Sequence, residues 1–225
     1  MNARFCAGLA LLLGLLVAAA CSSPTTDQRA ATGGRQLPYL GLPRPDAAPG
    51  DTLPAPIPSF VLTNQAGQPV TNRTVAGRVY VANFFFASCP SICPPMQRQL
   101  LRVYERFKDN PNVRYLSHTI DPAHDSVAVL RDYAERLGVP DATRWHFVTA
   151  PRNTVFRLAR AYLASAQVDA GAAGGLVHSG SLTLVDAQGR TRGLYDGLNP
   201  KEVDRLLADI PVLLRELPQP SAARP

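Results

Sequence analysis

Cysteine is scarce in this chain, four in 225 residues, and lysine scarcer still, with only Lys108 and Lys201 among 23 basic residues. So few cysteines exclude a small domain stapled by disulfides, and a chain of this length buries one ordinary core without them. Blocks of Lys and Arg interleaved with aromatic residues are absent as well. The formal charge of +6, carried almost wholly by scattered arginine, therefore makes no nucleic-acid-binding stripe. It suits solvated surfaces and attraction to acidic lipids or an acidic partner. No internal repeat is present, which excludes a solenoid. The apolar run near the start, residues 7–20, is shorter than a membrane span requires and rich in small residues.

That run follows Arg4 and ends in small residues, the pattern of a secretory signal over residues 1–20. The stretch "VAAACSS" resembles a bacterial lipoprotein signal, in which cleavage leaves an acylated cysteine, here Cys21, as the first residue. Cleavage elsewhere nearby and an uncleaved anchor are the alternatives. The lipoprotein reading puts the protein in the bacterial cell envelope, facing the periplasm, held at a membrane surface by its lipid. Residues 21–51 are dense in Pro, Gly, Ala and Thr without periodicity, which predicts a flexible tether that stays extended up to about Pro58. The folded domain is expected over 52–217, and 218–225 reads as a flexible tail.

Within the domain, "RVYVANFFF" is a nearly continuous aromatic and β-branched run, as in a central strand covered on both faces. Two cysteines follow it, then Pro94 and Pro95, which fit the first turn of a helix whose apolar face is Met96, Leu100, Val103, Tyr104 and Phe107. Next come a strand in "VRYLSHTI", a helix in "DSVAVLRDYAERLG" with Asp125 as N-cap, a strand in "WHFVTA" and a helix in "PRNTVFRLARAYL". A Gly/Ala-rich loop leads to a hairpin of residues 181–185 and 191–195. Asn199, Pro200 and Glu202 open a last helix that Pro211 kinks. Alternating strands and helices, a closing hairpin plus helix, and cysteines after an early strand predict an α/β, thioredoxin-like three-layer sandwich with a mixed central sheet.

Cys89 and Cys93 are the two cysteines inside this fold. A bridge across so short a loop constrains little of the unfolded chain, so a purely structural staple is poorly motivated. Thiols at the start of a helix are activated for redox chemistry, and the pair reads as a candidate catalytic dithiol. The spacing of four also sets both sulfurs on one helix face, able to converge on a metal. Two sulfurs need a third ligand. Of His118, His124, His146 and His178, the last follows a glycine-rich loop and precedes a strand, where it can reach the cysteine pair; the others read as surface or core histidines.

"FFFASCPSICP", "TIDPAHDS" and "VHSGSLTLVDAQG" together resemble the signatures of the SCO/SenC family over about residues 55–217. The resemblance implies an exported copper-binding protein that helps assemble the dinuclear copper centre of cytochrome c oxidase, with the oxidase's copper-binding subunit as partner. It implies copper ligands at Cys89, Cys93 and His178 and an acidic residue near the metal at Asp121, able to orient His178 or add charge to the site. Ser91 and Ser126 stand where aspartate and threonine are frequent in the family. Two thiolates and an imidazole suit Cu(I), and the imidazole lets the same site hold Cu(II), whereas zinc usually wants a fourth ligand. The same pair could instead cycle as a thiol-disulfide reductase of the oxidase's cysteines or in oxidative-stress defence, so metallochaperone and oxidoreductase both stand as expectations.

Overall fold

A computed structural model describes residues 34–218 except 42, 43, 45, 49, 173 and 174. The leading apolar segment, Cys21 and the tail from 219 on lie outside the described residues. The compact unit that begins at Arg35 is built on three parallel strands, β3 (Val79–Phe85), β4 (Val113–Thr119) and β5 (Trp145–Thr149). Antiparallel strands extend the sheet on both sides. β1 (Val61–Asn64) and β2 (Pro69–Thr71) join at β5, and β8 (Ser181–Val185) and β9 (Thr191–Asp196) join at β3. The order is β2-β1-β5-β4-β3-β8-β9.

Every residue of β3 is buried, which is why its sequence is a continuous apolar run rather than an alternation. On one face Tyr115 and Trp145 meet Tyr104 of α2 (Cys93–Phe107), and Phe85 and Phe147 meet Tyr133 of α3 (Val127–Arg136). On the other, Tyr80, Phe84 and His118 meet Tyr162, the residue that caps α4 (Arg152–Ala161). The last helix, α5 (Pro200–Arg215), starts at the Asn199 cap, continues across Pro211 and packs beside α2. A one-turn helix α1 (Asn72–Val75) follows β2. The three layers are those expected from the element order. No helix among the described residues is long and apolar enough to cross a membrane.

Three local expectations are corrected. Ser126, not Asp125, is the N-cap of α3, its hydroxyl accepting from Val129 N–H, because Asp125 is buried in other hydrogen bonds. The Gly/Ala-rich segment before His178 contains a two-stranded ribbon, β6 (Ala166–Val168) with β7 (Leu176–His178). Residues 35–40, expected as free tether, instead lie along β9, with Pro54 and Ile57 against the turn before it. Leu40 N–H donates to Thr191 O (2.9 Å) and Ile57 N–H to Gly189 O (2.8 Å). The anchor is Arg192, whose side chain is 3% exposed: it pairs with Asp186 and Glu216, donates to the carbonyls of Leu37 and Pro38, and lies 4.2 Å from the Tyr39 ring centroid. A proline-rich segment makes few hydrogen bonds of its own, and a buried guanidinium with five donors supplies them.

Removing that guanidinium leaves Asp186 buried and unpaired. Arg192→Ala is expected to lose about 3 kcal/mol in denaturant unfolding and to open residues 35–40 to protease.

Two core histidines predict acid sensitivity. His118 is fully buried, stacked on Phe84 with Nδ1 3.3 Å from Asn83 O, and His146 is 4% exposed beside Asn64. Burial holds both to about 4, with the charge of Arg114 also acting on His146. The unfolded chain protonates them near 6.5, so stability is intact above that pH, falls between 6.5 and about 4, and loses nothing further to them below. The loss is roughly 3 kcal/mol per histidine at most, and His118→Gln should flatten the unfolding free energy over this range.

Candidate metal centre

The site forms where β3 ends. After Phe85 the chain turns, with Cys89 N–H donating to Phe86 O (3.2 Å), and Cys93 is the first residue of α2, followed by the two prolines whose missing N–H groups cost nothing there. The turn is held from the neighbouring strand. The Asp125 carboxylate, 2% exposed, accepts from Ala87 N–H (3.0 Å) and from the hydroxyl of Thr119 at the end of β4.

His178 arrives on β7, paired to Ala166 of β6. It is 5% exposed, its ring edge-on to Phe86 at 6.1 Å. Its Nδ1 lies 2.9 Å from Ser179 O, and since a carbonyl only accepts, that bond puts the proton on Nδ1 and leaves the Nε2 lone pair free. Nε2 is 3.1 Å from Cys93 Sγ, positioned to accept the thiol proton. One ligand atom from each of Cys89, Cys93 and His178 lies within 4.8 Å of the other two. Both cysteines are free thiols.

The two thiols differ. Burial would raise Cys89, but N–H groups of Ser91 and Cys93 and the neighbouring side chains outweigh it and hold the thiol below its ordinary value. Burial dominates at Cys93 and, with the Cys89 and Asp125 charges, pushes its thiol well up. Burial also lowers His178, against its bond to Ser179, so the imidazole is neutral and able to ligate at neutral pH. Outside the thiols is a cleft of about 190 Å³ lined by Phe86, Cys89, Ser91, Ile92, Leu176 and His178, with Cys93 behind it.

The structure thus brings together the three residues expected as ligands. Asp121 does not join them as an orienting partner: its carboxylate is 2.7 Å from His124 Nδ1 and 3.6 Å from Arg152, and the orientation of His178 comes from the Ser179 carbonyl. Sequence reasoning missed Asp125 and Phe86 as residues of the site. Asp125 carried the signal of a helix cap, and only its burial distinguishes it from one. Cys21 lies outside the described residues. Two thiols and a neutral imidazole fit a soft cation of low coordination number, and the same sulfurs are near enough to join as a disulfide after a small movement.

A sequence profile described as SCO1/SenC matches residues 51–214. The chain is similar to the SCO1 protein homolog of Bacillus subtilis, 26% identical over 163 residues that cover 71% of this chain and 83% of that protein. Among solved structures it resembles BsSco, described as a member of the Sco family of cytochrome c oxidase assembly proteins with a disulfide switch. The TM-score is 0.63 with 26% identity, covering 72% of this chain and 95% of that one. It also shares the fold of copper-bound ScoI from Bradyrhizobium japonicum, with a TM-score of 0.58, 22% identity, and coverage of 69% and 99%.

The thiol asymmetry has a direct readout. Iodoacetamide at neutral pH should label Cys89 well before Cys93, on the order of 10-fold faster or more, as located by peptide mass spectrometry. Equal rates would contradict the assigned environments.

Proposed function

The chain belongs to the SCO1/SenC family, and from that membership we propose that it carries copper as cargo on Cys89, Cys93 and His178 and delivers it to the copper-binding subunit of cytochrome c oxidase. The fold is thioredoxin-like, as its solved relatives share. The observation that carries the proposal is the meeting of two thiols and an imidazole, from segments 85 residues apart, within 4.8 Å. Copper in the ScoI structure and oxidase assembly in the description of BsSco support the same reading.

Loading replaces the thiol protons, so apparent affinity rises with pH. Soft thiolates suit Cu(I), and His178 adds the nitrogen that Cu(II) favours. Release then proceeds by ligand exchange, an incoming thiolate or imidazole of the recipient taking each coordination position as a site ligand leaves. We place the protein in the bacterial envelope facing the periplasm, its N-terminal segment anchored by acylation of Cys21. A tether of this kind concentrates the domain near a membrane-bound recipient.

A second reading is favoured by the free, unequal thiols: the dithiol reduces a disulfide of the recipient. Cys89 thiolate attacks one sulfur, the other leaves as thiolate, and Cys93 then resolves the mixed disulfide. Two electrons pass to the recipient and Cys89–Cys93 is left oxidised.

Titrations with Cu(I) and Cu(II) under reducing, anaerobic handling test the first reading. His178→Ala should weaken Cu(II) binding on the order of 100-fold while Cu(I) binding falls much less, and equal loss of both would contradict the role given to the imidazole. Rapid thiol-disulfide turnover in copper-free buffer would favour the second reading.

A further inference from the structure

At the end of the sheet opposite the cysteines, three arginines come together. Arg114 stands in β4 in register with Tyr80 of β3. Arg78 immediately precedes β3, and Arg144 immediately precedes β5 and gives its carbonyl to Tyr115 N–H. Strand alternation sets Arg114 on the face of Tyr80 and His146, and the charges of Arg78 and Arg144 both reach it. Each is half-buried, and each uses its guanidinium on backbone carbonyls: Arg78 on Thr74 and Ala76, Arg114 on Pro111 and Val113, Arg144 on Asn110. None of the three forms an ion pair among the described residues. Burial, and then repulsion from Arg78 and Arg144, pulls Arg114 down to about 10. The carboxylate whose charge reaches it, Asp141, accepts two hydrogen bonds from Thr143. Three crowded cations, with one carboxylate in range and none in ion-pair contact among the described residues, leave an electrostatic demand that an external anion can meet.

The same end receives the N-terminal segment. β8 ends at Val185 opposite Tyr80, the turn to β9 follows, and the chain from Arg35 reaches the fold here, through Leu40 on Thr191 and Ile57 on Gly189. From Arg35, which pairs with Asp209 of α5, the described chain runs past Arg192 to reach this end at Leu40.

We propose that Arg78, Arg114 and Arg144 form a docking surface for the phosphates of anionic lipid headgroups, seating this end of the domain on the membrane with Cys89, Cys93 and His178 facing away from it. The choice of lipid as the anion rests on the membrane-anchored reading given above. The seven residues of β3 separate the two ends by about 20 Å, so the metal site stands clear of the headgroups.

The test is co-sedimentation of the full chain with vesicles of phosphatidylcholine alone or mixed with phosphatidylglycerol, at low and high salt. Wild type should prefer the phosphatidylglycerol vesicles by roughly 100-fold at low salt and lose the preference as salt rises. The triple exchange Arg78→Gln, Arg114→Gln, Arg144→Gln should abolish it, and the triple exchange to Lys should retain it. An equal preference in wild type and the Gln variant overturns the proposal. So does a preference that inorganic phosphate abolishes at concentrations comparable to the lipid phosphate, which would mark a free-phosphate site. Binding to neutral vesicles reports separately on the anchor: if wild type ignores them yet still prefers phosphatidylglycerol, the anchored reading fails and the docking surface stands. If the triple Gln variant does not melt like wild type, Arg114→Gln alone decides, with a severalfold loss of preference supporting the proposal and no loss overturning it.

Discussion

A buried carboxylate outside any observed ion pair governs the upper end of this molecule. Asp125 takes one hydrogen bond from the turn that carries Cys89 and another from the last residue of β4, and so fixes the cysteine turn to the sheet. Such a group is costly to bury unless its hydrogen bonds are made, which is why the turn is held where its N–H can supply one. The parallel register of β3 and β4 brings those donors to one place. Loosening it would move Cys89 relative to Cys93, because one cysteine lies in the turn and the other begins a helix.

Around that frame the three ligands have unequal surroundings. Cys89 faces the cleft with N–H donors around its sulfur, Cys93 is sealed behind it, and His178 faces Cys93 with one nitrogen while its backbone neighbour occupies the other. An incoming thiol reaches Cys89 first, whether it takes a metal or exchanges a disulfide. The copper and the reductase readings therefore share one point of contact and differ in what passes through it.

Much of this was legible in the sequence, for identifiable reasons. The β3 run and the apolar face of α2 are long and periodic, so burial follows from pattern, and Cys89, Cys93 and His178 are chemically distinctive residues at element ends. What escaped was decided by tertiary contact. Asp125 and Ser126 are both good caps, and only the approach of Ala87 and Thr119 assigns Asp125 elsewhere. The strands of the β6 and β7 ribbon, three residues each, are too short to show alternation, and the segment joining them is glycine-rich. The orientation of His178 comes from a main-chain carbonyl, which no side-chain motif encodes. Residues 35–40 have the composition of a free linker, and their attachment depends on Arg192, more than a hundred positions away.

Under the Cys21 anchor proposed above, that attachment alters the geometry of delivery. A polypeptide spans at most about 3.5 Å per residue, so a domain hanging from Cys21 by a leash that ended at residue 51 could range some 100 Å from its point of suspension. With the Arg192 clasp closed, the leash would be the 13 residues between Cys21 and Arg35, which even fully extended span no more than about 50 Å. Halving a radius cuts the accessible hemisphere about eightfold, so neighbours within it are met correspondingly more often and more distant ones not at all. In an anchored protein the clasp would thus set the catchment from which the domain chooses a recipient.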